Sequence, residues 1–315
     1  MPILFTAVKV SYIPMKIKEF FQKRREKKKQ NKKVFSSTKE RVIYEIKSWA
    51  LVIIAVFFIR AGIIEAYQIP TGSMEKTINV GDFLLGNKFL YGARTPDWIG
   101  IPFTRVGFDI PYYRFPALAK PEVGDVVIFK FPLDPWTNYV KRCLGAPGDT
   151  VEIVDKKVYV NGEPVDDPEH AIVNYNHILP ESYEEPRIFP SGNGNRDQYD
   201  PIYIPKKGDI FKLSGLSYKQ VEFIRHIMIL DGHNPEDNYG IYYEKGEPKY
   251  KVEQDYYFMM GDNRDNSFDS RYWGLVPYEY VMGSPLILYF SWDKTVPWTQ
   301  FYKKIRWNRI FHTVS

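Results

Sequence analysis

The spacing of apolar residues changes character along the chain. Residues 1–15 are mildly apolar but broken by Lys9 and Pro14, too short for a membrane span, and 16–33 are a lysine-rich run. Ser37-Thr38-Lys39-Glu40 has the spacing of a capping box and predicts a helix start. The helix runs on through an uninterrupted apolar stretch, 49–59, then Arg60, then 61–64. That length meets the minimum of about 17 residues for crossing a bilayer, and an arginine near one end can extend its guanidinium to the interface. An interfacial helix is the alternative. From Gln68 onward the pattern shortens to alternating segments punctuated by Gly and Pro, which read as strands at 82–85, 125–131, 138–144, 151–154, 157–160, 256–260 and 285–291. Asn161-Gly162 directly after 157–160 signals a tight hairpin. One helix is expected in this part, over 218–230, opened by Ser217-x-x-Gln220.

Charge sharpens the division. The first 47 residues hold 14 Lys and Arg against 4 Glu, so the remainder of a chain with formal net charge +5 is acidic. A basic run placed directly before an apolar stretch is the pattern that keeps a segment on the cytoplasmic side of a membrane. An acidic folded part gives no support for nucleic acid as a partner. Residues 93–120 form a long aromatic and proline-rich connection, either packed on the sheet or resting on a membrane interface.

Candidate chemistry narrows by elimination. The single cysteine, Cys143, rules out an intramolecular disulfide and a cysteine zinc site. The five histidines, His170, His177, His226, His233 and His312, form no H-E-x-x-H, and G-x-S-x-G is absent. The acidic stretch from Asp262 to Asp269 fails the calcium-loop pattern in either register, with Arg264 at a ligand position, and reads better as a network of ion pairs. No metal or other cofactor is expected. Ser73 remains, in Pro70-Thr71-Gly72-Ser73, where Pro70 stiffens the chain and Gly72 permits an unusual backbone angle. Strand alternation over 138–144 sets Tyr139, Lys141 and Cys143 on one face and Val140, Arg142 and Leu144 on the other. A lysine buried beside a ring and a thiol loses its proton more readily and can serve as a base toward a serine hydroxyl, which an arginine cannot; a turn or cap serine and a surface lysine extending from its strand are the plain alternatives, which these residues alone leave open.

Four stretches, QIPTGSMEKT (68–77), GDVVIFKFP (124–132), YVKRCLGAPGD (139–149) and GDNRDNSFDSRYWGLVP (261–277), closely resemble the type I signal peptidases in sequence and order. The resemblance implies a mainly β protein: an N-terminal transmembrane helix, then an antiparallel β catalytic domain with an inserted α+β subdomain. The expected division is a basic cytoplasmic segment 1–47, the membrane helix 48–67, catalytic β parts 68–154 and 253–315, and the insertion 155–252. The resemblance further implies Ser73 as nucleophile and Lys141 as general base. Thr71 and the Ser73 N–H would form the oxyanion hole, Ser267 would orient the lysine, and Asp262, Arg264, Asp269 and Arg271 would give support. Ile69, Met74, Tyr139 and Val140 would line pockets for small side chains before the cut. The family often has a proline where Lys76 stands, which should alter the local turn. The implied setting is the outer face of a bacterial inner membrane. The implied partners are signal-peptide-bearing precursors, the phospholipid membrane and the secretion machinery. A relative that processes pilus or conjugation precursors, and a non-catalytic membrane-tethered binding module, are the rivals. Retention of Ser73, Lys141 and Ser267 together speaks against the second.

Overall fold

The computed structural model describes residues 37–100, 106–237 and 240–314, with the side chains of 57–62 left out. The basic run 1–36 and part of the aromatic connection, 101–105, therefore lie outside the described residues. The chain divides into two compact units, 1–56 and 57–315.

Helix α1, Thr38–Gly62, begins as its capping sequence requires, with the Glu40 N–H donating to Ser37 Oγ at 3.2 Å. Among its described side chains the large apolar ones are exposed, Leu51 and Ile53 among them. Among the described residues, no helix is long and apolar enough to cross a membrane. The expected span 48–67 also runs past the helix. Strand β1, Ile64–Gln68, pairs antiparallel with β2, Asp82–Asn87. The reason is that this short stretch alternates: Tyr67 is buried opposite Leu84 between exposed Ala66 and Gln68, and Glu65, on the face of Tyr67, reaches Lys88 at 3.3 Å. Apolar content alone had merged it with the helix.

The remaining strands follow in order. A short hairpin, β3 (Trp98–Gly100) and β4 (Gly107–Asp109), lies within the aromatic connection. Then come β5 (Val126–Phe131), β6 (Asp134–Gly145), β7 (Thr150–Val154), β8 (Lys157–Val160), β9 (Glu163–Pro164), β10 (Tyr199–Tyr203) and β11 (Ile210–Lys212). Helix α2 (Tyr218–Leu230) precedes β12 (Ile241–Glu244), β13 (Glu247–Lys251) and β14 (Tyr256–Met260). The chain ends with α3 (Ser270–Trp273), β15 (Val276–Pro277), β16 (Val281–Ser291) and α4 (Phe301–Lys304). A seven-stranded antiparallel sheet, β1-β2-β16-β5-β6-β14-β15, forms the body. A four-stranded sheet, β10-β7-β8-β9, and a three-stranded one, β11-β13-β12, accompany it.

Local signals held where they rested on backbone chemistry. Asn161 and Gly162 both take positive φ, and Val160 faces Glu163 across the two-residue turn they make. Ser217 and Gln220 cap α2 reciprocally, and Ile224, Ile227 and Met228 bury its inner face. Those three share one core with Leu144, Phe258 and Met260 of the large sheet, so the elements of 155–252 pack directly on the body.

The loop after β1 is closed at its neck by Ile69 N–H to Asp82 O at 3.0 Å and Gly81 N–H to Ile69 O at 3.1 Å. The unusual backbone angle expected at Gly72 falls instead on Lys76, with φ of 72°. The Lys76 N–H donates to Asn79 Oδ1 at 2.9 Å, which holds the turn. A pyrrolidine ring fixes φ near −65° and has no N–H, so this turn is incompatible with proline. Lys76→Pro is expected to lower stability by about 2–4 kcal/mol, read as a fall in the thermal midpoint. An unchanged midpoint would show that the loop can adopt the other turn without penalty.

Candidate active site

Each wall of the site is an element whose local sequence explains its place. The Ser73 turn rests on the segment following β14. The Asn263 N–H donates to Ser73 O at 3.0 Å and its Nδ2 to Gly72 O at 3.1 Å. Beside them, Thr77 Oγ1 donates to Asp262 Oδ2 at 2.6 Å. Gly261 makes this approach possible: a Cβ there would meet Ser267 Oγ at 2.3 Å and Ser73 O at 2.4 Å. Only a residue without a side chain lets the two serine-bearing segments close on each other.

Lys141 enters from β6. Tyr139 and Cys143 pack in one cluster with Val127 and Phe129, while Val140 packs against the cluster of Ile69 and Met74, as alternation predicts. The Lys141 side chain is 3% exposed and its Nζ donates to Ser267 Oγ at 3.1 Å. Burial lowers its pKa to about 8; the Asp269 charge works against this and Arg271 works with it. Cys143 Sγ is buried too, and burial pushes its thiol up to about 12, which leaves it inert as a nucleophile at neutral pH.

Asp269 and Arg271 form a buried pair, with Nε to Oδ1 and Nη2 to Oδ2 both at 2.8 Å. Burial alone would raise the Asp269 pKa, but the guanidinium, Lys141 and the Ser267 hydroxyl hold it below the usual carboxylate value. Arg271 also donates to Arg264 O at 2.7 Å and Arg196 O at 3.1 Å, tying the turn to the segment 155–252. Arg142 grips Asp262 with two bonds, at 2.9 and 2.8 Å. Arg264 pairs with Asp167 at 3.0 Å, and Lys156 pairs with Asp265 and lies 3.6 Å from Asp197. The carboxylates of the Asp262–Asp269 stretch are thus each taken by a cation, the ion-pair network that the failed calcium pattern suggested.

Ser73, Lys141 and Ser267 line one cleft of about 830 Å3, together with Thr71, Ile69, Met74, Tyr139 and Val140. Thr71 is exposed at its rim, whereas Ile69 and Met74 are buried and belong at once to the wall and to the core. Asp262, Arg264, Asp269 and Arg271 lie behind this surface, buried. Sequence reasoning overlooked three residues that hold the site: Arg142, Asn263 and Lys156. Arg142 was detectable in principle, because an arginine on the inward face of a buried strand needs a carboxylate and Asp262 belonged to the same motif set. Lys156 gave no such signal, since its partners come from distant parts of the chain.

Comparison with known proteins gives this geometry a family. A family model described as "Signal peptidase, peptidase S26" matches residues 42–290. A protein of Buchnera aphidicola subsp. Acyrthosiphon pisum named "Signal peptidase I" is 33% identical, over 82% of this chain and 78% of its own length. The "Signal peptidase I" of Pseudomonas aeruginosa is 35% identical, over 78% of this chain and 72% of its own. That of Aquifex aeolicus is 32% identical, over 76% and 81%. With the match extending over most of the chain and through both serine-bearing segments, the protein belongs to the signal peptidase family, peptidase S26.

Proposed function

We propose that this chain is a serine endopeptidase that cleaves signal peptides from secretory precursors after small residues, with Ser73 and Lys141 as its catalytic pair. The observation that carries the assignment is the buried Lys141 amine, hydrogen-bonded to Ser267 in the cleft that also contains Ser73. A lysine with its pKa near 8 is neutral in an appreciable fraction of molecules at physiological pH and can accept a proton. Ser73 Oγ attacks the scissile carbonyl carbon as Lys141 Nζ takes the hydroxyl proton. The Ser73 N–H and the Thr71 hydroxyl stabilise the tetrahedral oxyanion, donors typically worth about 3–4 kcal/mol. Collapse expels the amine of the mature chain, which receives its proton from Lys141, and leaves an acyl ester on Ser73. A water molecule activated by the same amine then hydrolyses the ester and frees the serine. Ser267 keeps the amine aimed throughout, and Asp269 with Arg271 keeps Ser267 in place.

The substrate's form follows from the walls. β6 pairs with β14 only from Arg142 onward, so among the described residues the stretch 136–141 has an edge without a strand partner. An extended peptide can lie against such an edge. Ile69, Met74, Tyr139 and Val140 leave limited room beside it, which favours Ala-x-Ala sequences before the bond. The outward apolar side chains of α1, preceded by the basic run, support attachment to a phospholipid membrane as a single-pass anchor with 1–47 cytoplasmic. The catalytic part would then face the periplasm, where exported precursors and the secretion machinery meet it.

Four outcomes are expected. Ser73→Ala should reduce cleavage of an Ala-x-Ala precursor by on the order of 10⁴-fold with the thermal midpoint unchanged; full activity in that variant, measured by product N-terminal sequencing, rejects the nucleophile. Because the Lys141 pKa falls to about 8 from 10.5, kcat/KM should rise with pH and level off above about 8. The unfolded chain holds that proton more tightly, so this group's contribution to stability should also grow between those two values. A rate highest in acid would remove lysine from the mechanism. The full chain should float with anionic phospholipid vesicles and lose this on deletion of 1–62; a full chain left in the soluble fraction contradicts the anchor.

A further inference from the structure

Apart from Lys141, whose partner is the Ser267 hydroxyl, the charges lining the cleft balance with one exception among the described residues. Glu65, at the end nearer β1, is matched by Lys88. At the other end Glu185 accepts both Arg196 Nε at 3.1 Å and Nη2 at 2.7 Å, and Asp265 is taken by Lys156. Arg187 also lines this end, is exposed, and among the described residues has no hydrogen bond or ion pair. Its backbone is nevertheless fixed. Ile188 N–H closes the turn onto Glu185 O at 3.1 Å, Ile188 itself is buried, and Phe189 N–H donates to Arg271 O at 2.8 Å. The arginine is therefore presented by a rigid turn bonded to Arg271, the residue that holds Asp269.

The proposed function requires the peptide before the bond to occupy the apolar stretch between Ile69, Met74, Tyr139 and Val140. The lining that remains for the chain after the bond includes Phe268, Tyr272, Glu185 and Arg187. Tyr272 stacks on Phe268 and its hydroxyl lies 3.4 Å from Glu185, so these groups form one continuous rim. Resting on that reading, we infer that Arg187 is a specificity determinant that recognises an acidic side chain in the first residues of the mature chain. The partner is a carboxylate: the rim's other charges are satisfied internally, and an incoming Lys or Arg would meet the unmatched guanidinium. The inserted segment thus acts on substrate selection as well as on packing.

The test compares precursors carrying Asp, Ala or Lys at the first, second or third position after the bond, cleaved by the full chain in detergent. In the wild type, kcat/KM for the best-placed Asp should exceed that for Lys by roughly two- to fivefold, the range of an exposed ion pair, and the ratio should shrink in high salt. Arg187→Lys should retain the preference, Arg187→Ala should erase it, and Arg187→Glu should invert it. A purely structural arginine would alter all substrates alike and leave the ratio constant across the four proteins, which would overturn the inference. Failure of the wild type to cleave even the Ala precursor would overturn the endopeptidase reading, and this one with it.

Discussion

Removing the Lys141 amine from water is the constraint around which the site is arranged. Burial disfavours the ammonium, and an adjacent free carboxylate would restore it. Asp269 is close enough to act on Lys141, yet its charge is committed to Arg271 through two short bonds. The lysine therefore receives a neutral hydroxyl, that of Ser267, as its partner. A hydroxyl orients the amine without fixing its charge, the condition a proton-accepting lysine needs. Removing Arg271 would leave a buried, uncompensated carboxylate that favours the protonated amine.

The same commitment of charge recurs along the acidic stretch. Asp262 is occupied by Arg142, Asp265 by Lys156, and Arg264 by Asp167. Buried pairs of this kind contribute little net stability but cost much when broken, so they enforce a single arrangement more than a strong one. Two of the partners, Lys156 and Asp167, lie in the segment 155–252. That segment also contributes the core residues Ile224 and Ile227 alongside Phe258 and Met260, and the rim residues Glu185 and Arg187. The segment 155–252 braces the motif-bearing turn from behind and contributes to the lining of the cleft.

Much of this was legible from residue types. The caps at Ser37 and Ser217, the Asn161-Gly162 hairpin and the two faces of β6 depend on neighbours in sequence, and each formed as its chemistry demands. The motif stretches carried the family and its candidate residues. Errors arose where neighbouring composition was ambiguous. Residues 64–67 are apolar enough to continue a helix, but Glu65 and Tyr67 found partners in β2 and beyond it. The positive φ moved from Gly72 to Lys76 because Asn79 was available to hold the Lys76 N–H.

The chain by itself determined the sequence of elements, the clustering of basic residues ahead of an apolar helix and the presence of a serine and a lysine suited to one chemistry. The elements follow from propensity and period, which act over a few residues, the basic cluster from composition, and the serine and lysine from the motif stretches that carry the resemblance. Tertiary structure alone decided that Lys141 is dry, that Asp269 is already paired, and that Arg187, among the described residues, stands unmatched in the cleft's lining. Burial and hydrogen bonding join residues more than a hundred positions apart, as Lys141 and Ser267 are, and a spacing rule has no access to distances that only the folded sheet creates.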